Sequence, residues 1–152
     1  MLLVALHVFA EKFQFNASLY YLLRGVGLWQ TGFDKGSVIG PWLGMAVAAG
    51  VLGLAFFRLK PKARFEHLVE AMLLATFLQL TCAATVHAWY VTVPFALGAL
   101  TRRWRRFVMV WSGAVALSYS HYAGGLFQEN HWLIAAEYAA VWLALFWDAR
   151  KR

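Results

Sequence analysis

The chain has 152 residues, of which 62% are hydrophobic, 17% aromatic and only 14% charged. Soluble domains are about 45–50% apolar and about 25% charged, so a soluble protein of this length could not bury so much apolar surface. The composition therefore excludes a soluble globular protein and predicts an integral membrane protein, whose apolar surface is solvated by lipid.

The net charge of +7 is not spread evenly along the chain. Most of the fourteen basic residues lie in three short clusters, at residues 58–64, 102–106 and 150–152. Basic clusters beside apolar runs are typical of cytoplasmic loops that contact anionic lipid head groups. We therefore expect membrane lipids, and not nucleic acid, as partners. The single Cys82 excludes a disulfide within the chain.

The amino-terminal part contains no complete membrane span. Residues 1–10 are apolar but too few to cross a bilayer, so they are interpreted as the end of a spanning helix whose beginning is absent. Residues 11–29 mix apolar and polar side chains, which predicts an amphipathic helix lying in the membrane interface, with Asn16 or Ser18 as its cap. Residues 30–36 are typical of a turn-rich loop.

Five apolar stretches follow, and each is interpreted as a membrane pass. They cover residues 38–57, 65–86, 91–100, 107–119 and 131–147. The first is uncharged and, at about 30 Å, long enough to span, whereas the third is short. Thr92 and Pro94 fit the first turn of that third helix, where the missing N–H of proline would be unpaired anyway.

We therefore predict an all-α membrane helical bundle. Residues 1–152 form a single transmembrane domain, in which residues 1–37 supply the truncated helix, the interfacial helix and an outer loop, and residues 38–152 supply the bundle of about five passes. The basic clusters follow the first, third and fifth passes, so all three lie on one side of the membrane. The positive-inside rule places that side, and the carboxyl terminus, in the cytoplasm.

The opposite, outer face collects the polar side chains of segments far apart in sequence. These residues are Lys12, Asn16, Arg24, Asp34, His87, His121, Gln128, Glu129 and His131, with Trp89 and Tyr90 beside His87. Lys12 and Arg24 can carry phosphate oxygens, and His87 or His121 can donate to them, so the set suits an anion-binding site. The alternative is an ordinary wet surface with an aromatic belt that anchors the helices.

The apolar stretches contain polar side chains at Glu70, Gln79 and Glu137, among others. Glu70 is about one turn from the basic loop, so we expect it to pair with that loop. Glu137 lies about two turns inside the last pass, and we expect it to be protonated or paired with Gln79 or with a Ser or Thr hydroxyl.

The sequence gives little support for a metal or a haem. His121, Glu129 and His131 match no compact metal-ligand spacing. His67 and His87 lie at opposite ends of one predicted helix, without an obvious partner histidine at mid-membrane depth. No Ser-His-Asp set, phosphate-cradling glycine loop, CxxC or HExxH motif is present. We therefore assign neither a cofactor nor a catalytic residue.

Three motifs in succession resemble those of a known membrane enzyme family. Residues 15–24 read FNASLYYLLR, His87-Ala88-Trp89-Tyr90 precedes Pro94, and Glu137-Tyr138 lies in the last pass ahead of a basic tail. Their order and spacing are similar to the carboxy-terminal half of bacterial polyprenyl-phosphate-mannose-dependent mannosyltransferases, which are membrane glycosyltransferases of the GT-C type. There the motifs read FN-x-S-L-x-Y-L-L-R, H-P-W-Y and L-E-Y.

The resemblance implies an activity and a location. Enzymes of this family move a sugar from a lipid-phosphate donor to an acceptor at the outer face of the bacterial inner membrane. Arg24, His87, Trp89 and Tyr90 would then form the wall around the donor phosphate and its polyprenyl tail. Ala88 stands where the family usually has proline.

The catalytic carboxylate of the family lies in the first outer loop, within an amino-terminal half that this chain lacks. The resemblance therefore implies a glycosyltransferase module: a fragment, a split-gene subunit that needs a separate amino-terminal half, or a remnant that serves as a scaffold. The alternative is a non-catalytic subunit of a larger photosynthetic or respiratory complex. Such a subunit would pack its aromatic and glycine-rich faces against partners, lipid, pigment or haem, and the eight Trp residues suit either interpretation.

Overall fold

The computed structural model describes residues 14–58, 64–101, 105–122 and 128–150. Over these ranges the chain is helical, and its pairing in the β conformation is limited to an isolated bridge between Phe15 and Thr85. The α-helices are α1 (Leu19–Thr31), α2 (Gly36–Arg58), α3 (Phe65–Cys82), α4 (Thr92–Ala99), α5 (Arg105–Ala114) and α6 (His131–Arg150), and two 3₁₀ helices cover Ala88–Val91 and Val115–Tyr122. The predicted all-helical fold is confirmed.

Three of the described helices are long and apolar enough to cross a membrane. These are α2, α3 and α6, with mean hydropathies of 1.9, 1.2 and 1.3. The helical segment Ala88–Ala99 is shorter, since twelve residues rise only about 18 Å. Thr92 opens α4, as the position of Pro94 predicts. Helix α4 ends at Ala99 and Thr101 is not helical, so the described part of this segment stays short of a full span.

The segment before α1 differs from its prediction. Residues 14–18 are not helical, and α1 begins only at Leu19, whereas residues 1–13 lie outside the described ranges. The Phe15 N–H donates to the Ala84 carbonyl (3.1 Å), and the Val86 N–H donates to the Phe15 carbonyl (2.8 Å). These two bonds replace the helical pairing, so Phe15 and Asn16 lie against the chain that leaves α3. Ser18 occupies the N-cap position of α1, but its side chain makes no capping bond there.

The core of the bundle lies between α3, α5 and α6. The Phe77 ring of α3 lies 5.1 Å from that of Phe107 and 5.5 Å from that of Trp111, both on α5. Edge-to-face aromatic contacts at such distances add to the free energy gained from burial. The buried Asp148 of α6 accepts the Phe107 N–H (3.0 Å), which satisfies one unpaired donor in the first turn of α5.

The 3₁₀ helix Val115–Tyr122 continues α5 where the sequence predicted a loop from residue 120. A 3₁₀ helix has three residues per turn, so residues three apart share one face. Val115, Ser118 and His121 have this spacing, and all three are buried. This geometry brings His121 into the bundle.

The two ends of the bundle differ in charge. At one end Arg58 forms an ion pair with Glu70 (3.3 Å), which confirms the pairing expected for Glu70. Arg64, Arg106 and Arg150 belong to helix ends that lie on this same side, because the other ends of those helices meet around Phe15 and Asn16. The described arginines of the three basic clusters thus lie opposite the segment of Asn16.

Candidate functional site

Asn16 is the centre of a buried polar junction that joins distant parts of the chain. It is fully buried and has a left-handed backbone with φ of 48°. Its N–H donates to Glu129 Oε1 (2.6 Å), and its side-chain amide donates to both carboxylate oxygens of Glu137 (3.3 and 3.2 Å). Its carbonyl accepts the Tyr138 hydroxyl (3.0 Å). Asn16 therefore fixes the start of α1 against the start of α6.

The partner of Glu137 is Asn16, whereas the sequence suggested Gln79 or a Ser or Thr hydroxyl. Because the segment before α1 is extended rather than helical, Asn16 reaches the interior of the bundle. Gln79 is exposed and lines a separate cavity of about 560 Å³ beside Gly40 and Gly44 of α2. The Trp111 indole also lies close to the Glu137 carboxylate, but its Nε1 has no hydrogen-bond partner within the described part of the chain.

The aromatic corner predicted at residues 87–90 forms a stack on Phe15. The His87 ring is parallel to the Trp89 ring at 4.2 Å and stacks on Phe15 at 5.0 Å, with Tyr90 edge-on at 5.5 Å. Phe15 in turn contacts His121 edge-to-face at 5.8 Å. Burial lowers the pKa of His87, so its neutral form is favoured. This aromatic cluster holds the segment that carries Asn16.

His121 belongs to the same cluster and is buried. Its Nδ1 accepts the Asn130 N–H (3.2 Å), which leaves the proton on Nε2, an atom without a hydrogen-bond partner among the described residues. Burial is the main reason that its pKa is lowered, since the nearby Glu129 acts in the opposite direction and His131 adds only a smaller lowering. His121 is thus a neutral, buried residue and differs from the exposed phosphate donor that the sequence suggested.

A groove of about 1,090 Å³ runs between α1 and α6. The Tyr21 hydroxyl of α1 donates to Glu129, just before α6, and the groove is partly open to the surroundings. Its polar end is formed by Gln14, Tyr21, Arg24, Gln128, Glu129 and His131. Its other walls are apolar, with Leu22, Gly25 and Leu28 on α1 and Ile134, Ala135, Ala139 and Trp142 on α6.

Arg24 is the cation of the groove, and its guanidinium is already paired. Its Nε donates to both oxygens of Asp34 (2.9 and 3.0 Å), and its Nη1 donates to Gln14 Oε1 (2.6 Å). The hydrogen bonds from Arg24, followed by that from the Gly36 N–H, lower the pKa of Asp34. Both side chains are well exposed, at 37% and 49%, so the pair is easily exchanged for another partner.

Glu129 is the anion of the groove. Its oxygens accept the Asn16 N–H and the Tyr21 hydroxyl, and both donors are uncharged. Burial and, after it, the bond to Glu129 raise the pKa of Tyr21, so the tyrosine stays protonated and donates. Among the described residues, Glu129 has no ion-pair partner, in contrast to Arg24. Its carboxylate makes it unsuited to bind phosphate directly, although the sequence placed it in the phosphate set.

The structure thus divides the predicted site into two parts. Arg24, Glu129 and His131 line the groove, and Asn16 lies directly behind it. His87, Trp89, Tyr90 and His121 form the aromatic cluster and are not among the residues that line the groove. Lys12 lies outside the described residues.

Several groove residues were not assigned to the site by sequence reasoning. Tyr21, Ile134, Ala135, Tyr138 and Trp142 form its wall, together with Gln14. On α6 the signal was present as a stripe at residues 131, 134, 135, 138, 139 and 142, which is the spacing of one helix face. The stripe could not be recognised as a groove, because its opposite wall comes from α1, more than a hundred residues earlier.

Comparison of the chain with protein-family models, with curated proteins and with solved structures found no match. Within the described ranges, no group of three or more His, Cys, Asp and Glu side chains could hold a metal ion. The groove is the feature of the described chain that combines an apolar cavity with convergent charged groups, which is the usual form of a small-molecule site.

Proposed function

We propose that this chain is a GT-C-like membrane glycosyltransferase module that binds a polyprenyl-phosphate sugar in the groove between α1 and α6. The observation that carries the proposal is the division of one groove into an apolar channel and a charged end. A ligand with a long hydrocarbon tail and a polar, anionic head matches this division. The resemblance of the three sequence motifs supports the same ligand class.

The apolar walls provide the surface for the polyprenyl tail. Small side chains, Gly25 on α1 and Ala135 and Ala139 on α6, leave room between Leu28 and Trp142. Because the groove is partly open to the surroundings, the tail can enter from the lipid bilayer without leaving the hydrocarbon phase. Burial of the tail is then favoured by packing against the walls more than by the hydrophobic effect, because bilayer lipid is itself apolar.

Arg24 is the residue proposed to hold the phosphate. A guanidinium binds phosphate through two parallel N–H···O bonds, the same arrangement that Arg24 now makes with Asp34 through Nε and Nη2. Exchange of Asp34 for phosphate needs only a rotation of the exposed Arg24 side chain. His131, exposed at the rim, adds a further polar contact. The roles proposed for His87, Trp89 and Tyr90 are indirect: they stack against Phe15 and thereby support the junction that positions the polar end.

The orientation in the membrane is part of the same proposal. The described arginines Arg58, Arg64, Arg106 and Arg150 lie at the end of the bundle opposite the polar end of the groove. The positive-inside rule then puts those arginines and the carboxyl terminus in the cytoplasm and the head group at the outer face of a bacterial inner membrane. The full proposed topology has five passes. The 3₁₀ helix Ala88–Val91 with α4 forms the third pass, and α5 with the 3₁₀ helix Val115–Tyr122 forms the fourth.

Donor binding is the part of the reaction proposed for this chain, and no catalytic residue is assigned to it. In the family that it resembles, the catalytic carboxylate lies in a loop with no counterpart in these 152 residues. The catalytic step is therefore not proposed for these 152 residues.

A second candidate function is favoured by the surface of α2. Only Leu43 of its 23 residues is buried, and Cβ atoms added at Gly40, Gly44 and Gly53 would meet nothing within 4 Å. Small residues on an exposed membrane helix allow a neighbouring helix to approach closely. A non-catalytic subunit of a larger membrane complex would use this face to contact its partners.

The test of the first function is a titration of the purified chain with farnesyl-phosphate mannose, a short-chain probe, in mild detergent. Isothermal titration calorimetry would compare the wild type with Arg24→Gln and with Arg64→Gln, a matched change at the opposite end. We expect Arg24→Gln to weaken binding at least tenfold, because hydrogen bonds to charged groups contribute about 1.5–3 kcal/mol, and Arg64→Gln to leave it unchanged. Equal binding by all three proteins, or none, would contradict the proposal.

A further inference from the structure

Glu129 is held in one orientation at the polar end of the groove. One oxygen accepts the N–H of Asn16, a backbone atom of the buried junction, and the other accepts the hydroxyl of Tyr21 on α1. Because the two donors come from fixed, separate elements, the carboxylate cannot rotate freely. Each carboxylate oxygen can accept a second hydrogen bond, so Glu129 retains acceptor capacity on the side that lines the groove.

Among the described residues, Arg24 is paired with Asp34, whereas Glu129 belongs to no ion pair. The titratable side chains near Glu129 in the described part of the chain include Tyr21, His121 and His131, and Asn16 links it to a second carboxylate, Glu137. A half-buried carboxylate in these surroundings attracts hydrogen-bond donors and repels a second anion.

We infer that Glu129 is a specificity-determining residue of the groove, which selects a lipid phosphate that carries a hydroxyl-rich head group over the same lipid phosphate without it. This inference rests on the proposed function. The sugar hydroxyls, which lie beyond the phosphate held by Arg24, donate hydrogen bonds to the carboxylate of Glu129. These hydrogen bonds compensate the negative charge of Glu129. A bare lipid phosphate brings no such donor and brings more negative charge.

The selection has a direction along the transfer reaction. A glycosylated lipid phosphate is a phosphodiester with one negative charge, whereas loss of the sugar leaves a monoester with a charge of about −1.5 to −2 at pH 7. The product therefore loses its hydrogen bonds to Glu129 and gains repulsion from it. Glu129 thus favours binding of the glycosylated donor lipid and release of the lipid phosphate that has lost its sugar.

The experiment is calorimetric titration of the full chain with two probes, farnesyl phosphate and farnesyl-phosphate mannose. We expect the wild type to bind the mannoside at least tenfold more tightly, as the loss of hydrogen bonds to a charged group predicts. Glu129→Gln should bring the two affinities within about threefold, with tighter binding of the bare phosphate and weaker binding of the mannoside. The glutamine keeps an acceptor for the Asn16 N–H and a donor for the Tyr21 oxygen, which preserves the fold.

Two further variants separate selection from a structural role. Tyr21→Phe removes one bond to Glu129 but not its charge, so it should keep the wild-type preference for the mannoside. Glu66→Gln, an exposed change near the opposite end of α3, should change neither affinity. The inference is overturned if Glu129→Gln weakens the binding of both probes equally or leaves the ratio of their two affinities unchanged. A wild type that binds both probes equally refutes the selection and leaves lipid-phosphate binding intact, whereas a wild type that binds neither refutes both.

Discussion

The core formed by α3, α5 and α6 differs sharply from the hairpin formed by α1 and α2. The core buries large side chains on all three helices, among them Phe77, Trp111 and Val141. Helix α1 buries only Tyr20 and α2 only Leu43, and both present exposed apolar side chains to the surroundings. The core therefore buries more apolar surface than the hairpin, and the groove lies between α1 of the hairpin and α6 of the core.

This comparison separates two kinds of substitution. Changes in the core, or in the Asn16 junction that ties the hairpin to it, should lower the free energy of unfolding. Changes on the hairpin side of the groove should leave stability nearly unchanged and should act on ligand binding instead. The following predictions run from the largest expected effect to the smallest.

Replacement of Asn16 by alanine should produce the largest loss of stability. The change removes both amide hydrogen bonds to Glu137 and leaves a buried carboxyl group without this partner, which costs about 3 kcal/mol. Unfolding in mild detergent, followed by circular dichroism, measures the loss. Glu137→Gln is the control, because a glutamine can donate to the unpartnered Oδ1 of Asn16, and its cost should stay below about 1 kcal/mol. Equal losses for the two variants would contradict this view of the junction.

A pair of glycine substitutions tests the packing difference directly. A Cβ atom at Gly98 would lie 2.7 Å from Val108 Cγ2 on α5, so Gly98→Ala should destabilise the protein by about 1–3 kcal/mol. At Gly44 an added Cβ meets nothing within 4 Å, and Gly44→Ala should be neutral or slightly stabilising. Thermal unfolding of both variants in detergent checks this prediction, and comparable losses would show that the hairpin is packed as tightly as the core.

The same glycine face tests the second candidate function. Gly44→Leu should leave the isolated chain folded. If α2 contacts partner chains, this change should disrupt the native complex while Arg24→Gln leaves it assembled. Blue-native electrophoresis of solubilised membranes distinguishes the two results.

The two buried histidines, His87 and His121, should contribute a loss of stability as the pH is lowered from 7.5 to 5.5. Burial lowers the folded-state pKa of both below the ordinary value of 6.5, so at these two sites the unfolded chain binds more protons in this range. Their contribution to stability therefore rises with pH up to the unfolded pKa and levels off above it. His121→Asn should reduce this dependence, because the Asn oxygen can accept the Asn130 N–H without titrating. Melting temperatures at several pH values check the slope, and an unchanged slope in this variant would contradict the assignment.

Asp34→Asn should have the smallest effect, and the effect should fall on binding. The exposed ion pair with Arg24 is worth at most about 1 kcal/mol, so removal of this competitor should tighten binding of farnesyl phosphate by up to about fivefold. The asparagine oxygen can still accept the Gly36 N–H, so stability should be unchanged. In an Arg24→Gln background the substitution should have no effect on affinity, and a gain there would refute the competition.

Much of the fold could be predicted from the sequence, because hydropathy and basic clusters mark membrane helices directly. The helical segments follow the predicted order, and Glu70 forms the expected pair with Arg58. The extended segment at Phe15 could not be predicted, since it depends on bonds to Ala84 and Val86, about seventy residues later. For the same reason Glu137 was assigned other partners than Asn16, which lies 121 residues away.

The candidate site was predicted as a list of residues on one face, and only part of that list lines one cavity. Arg24, Glu129 and His131 do so, whereas His87 and His121 are drawn into the aromatic cluster around Phe15. A shared face of the membrane follows from topology, but the division of that face depends on which side chains are buried. Burial of a histidine cannot be derived from its position in a loop.

Native mass spectrometry of the full chain, extracted from its own membrane in mild detergent, tests the proposed lipid binding. We expect a bound mass that matches a polyprenyl phosphate or its glycoside, and its loss in the Arg24→Gln variant. A stable assembly with other membrane chains, or with haem or pigment, and without any such lipid would contradict the account and favour the accessory subunit.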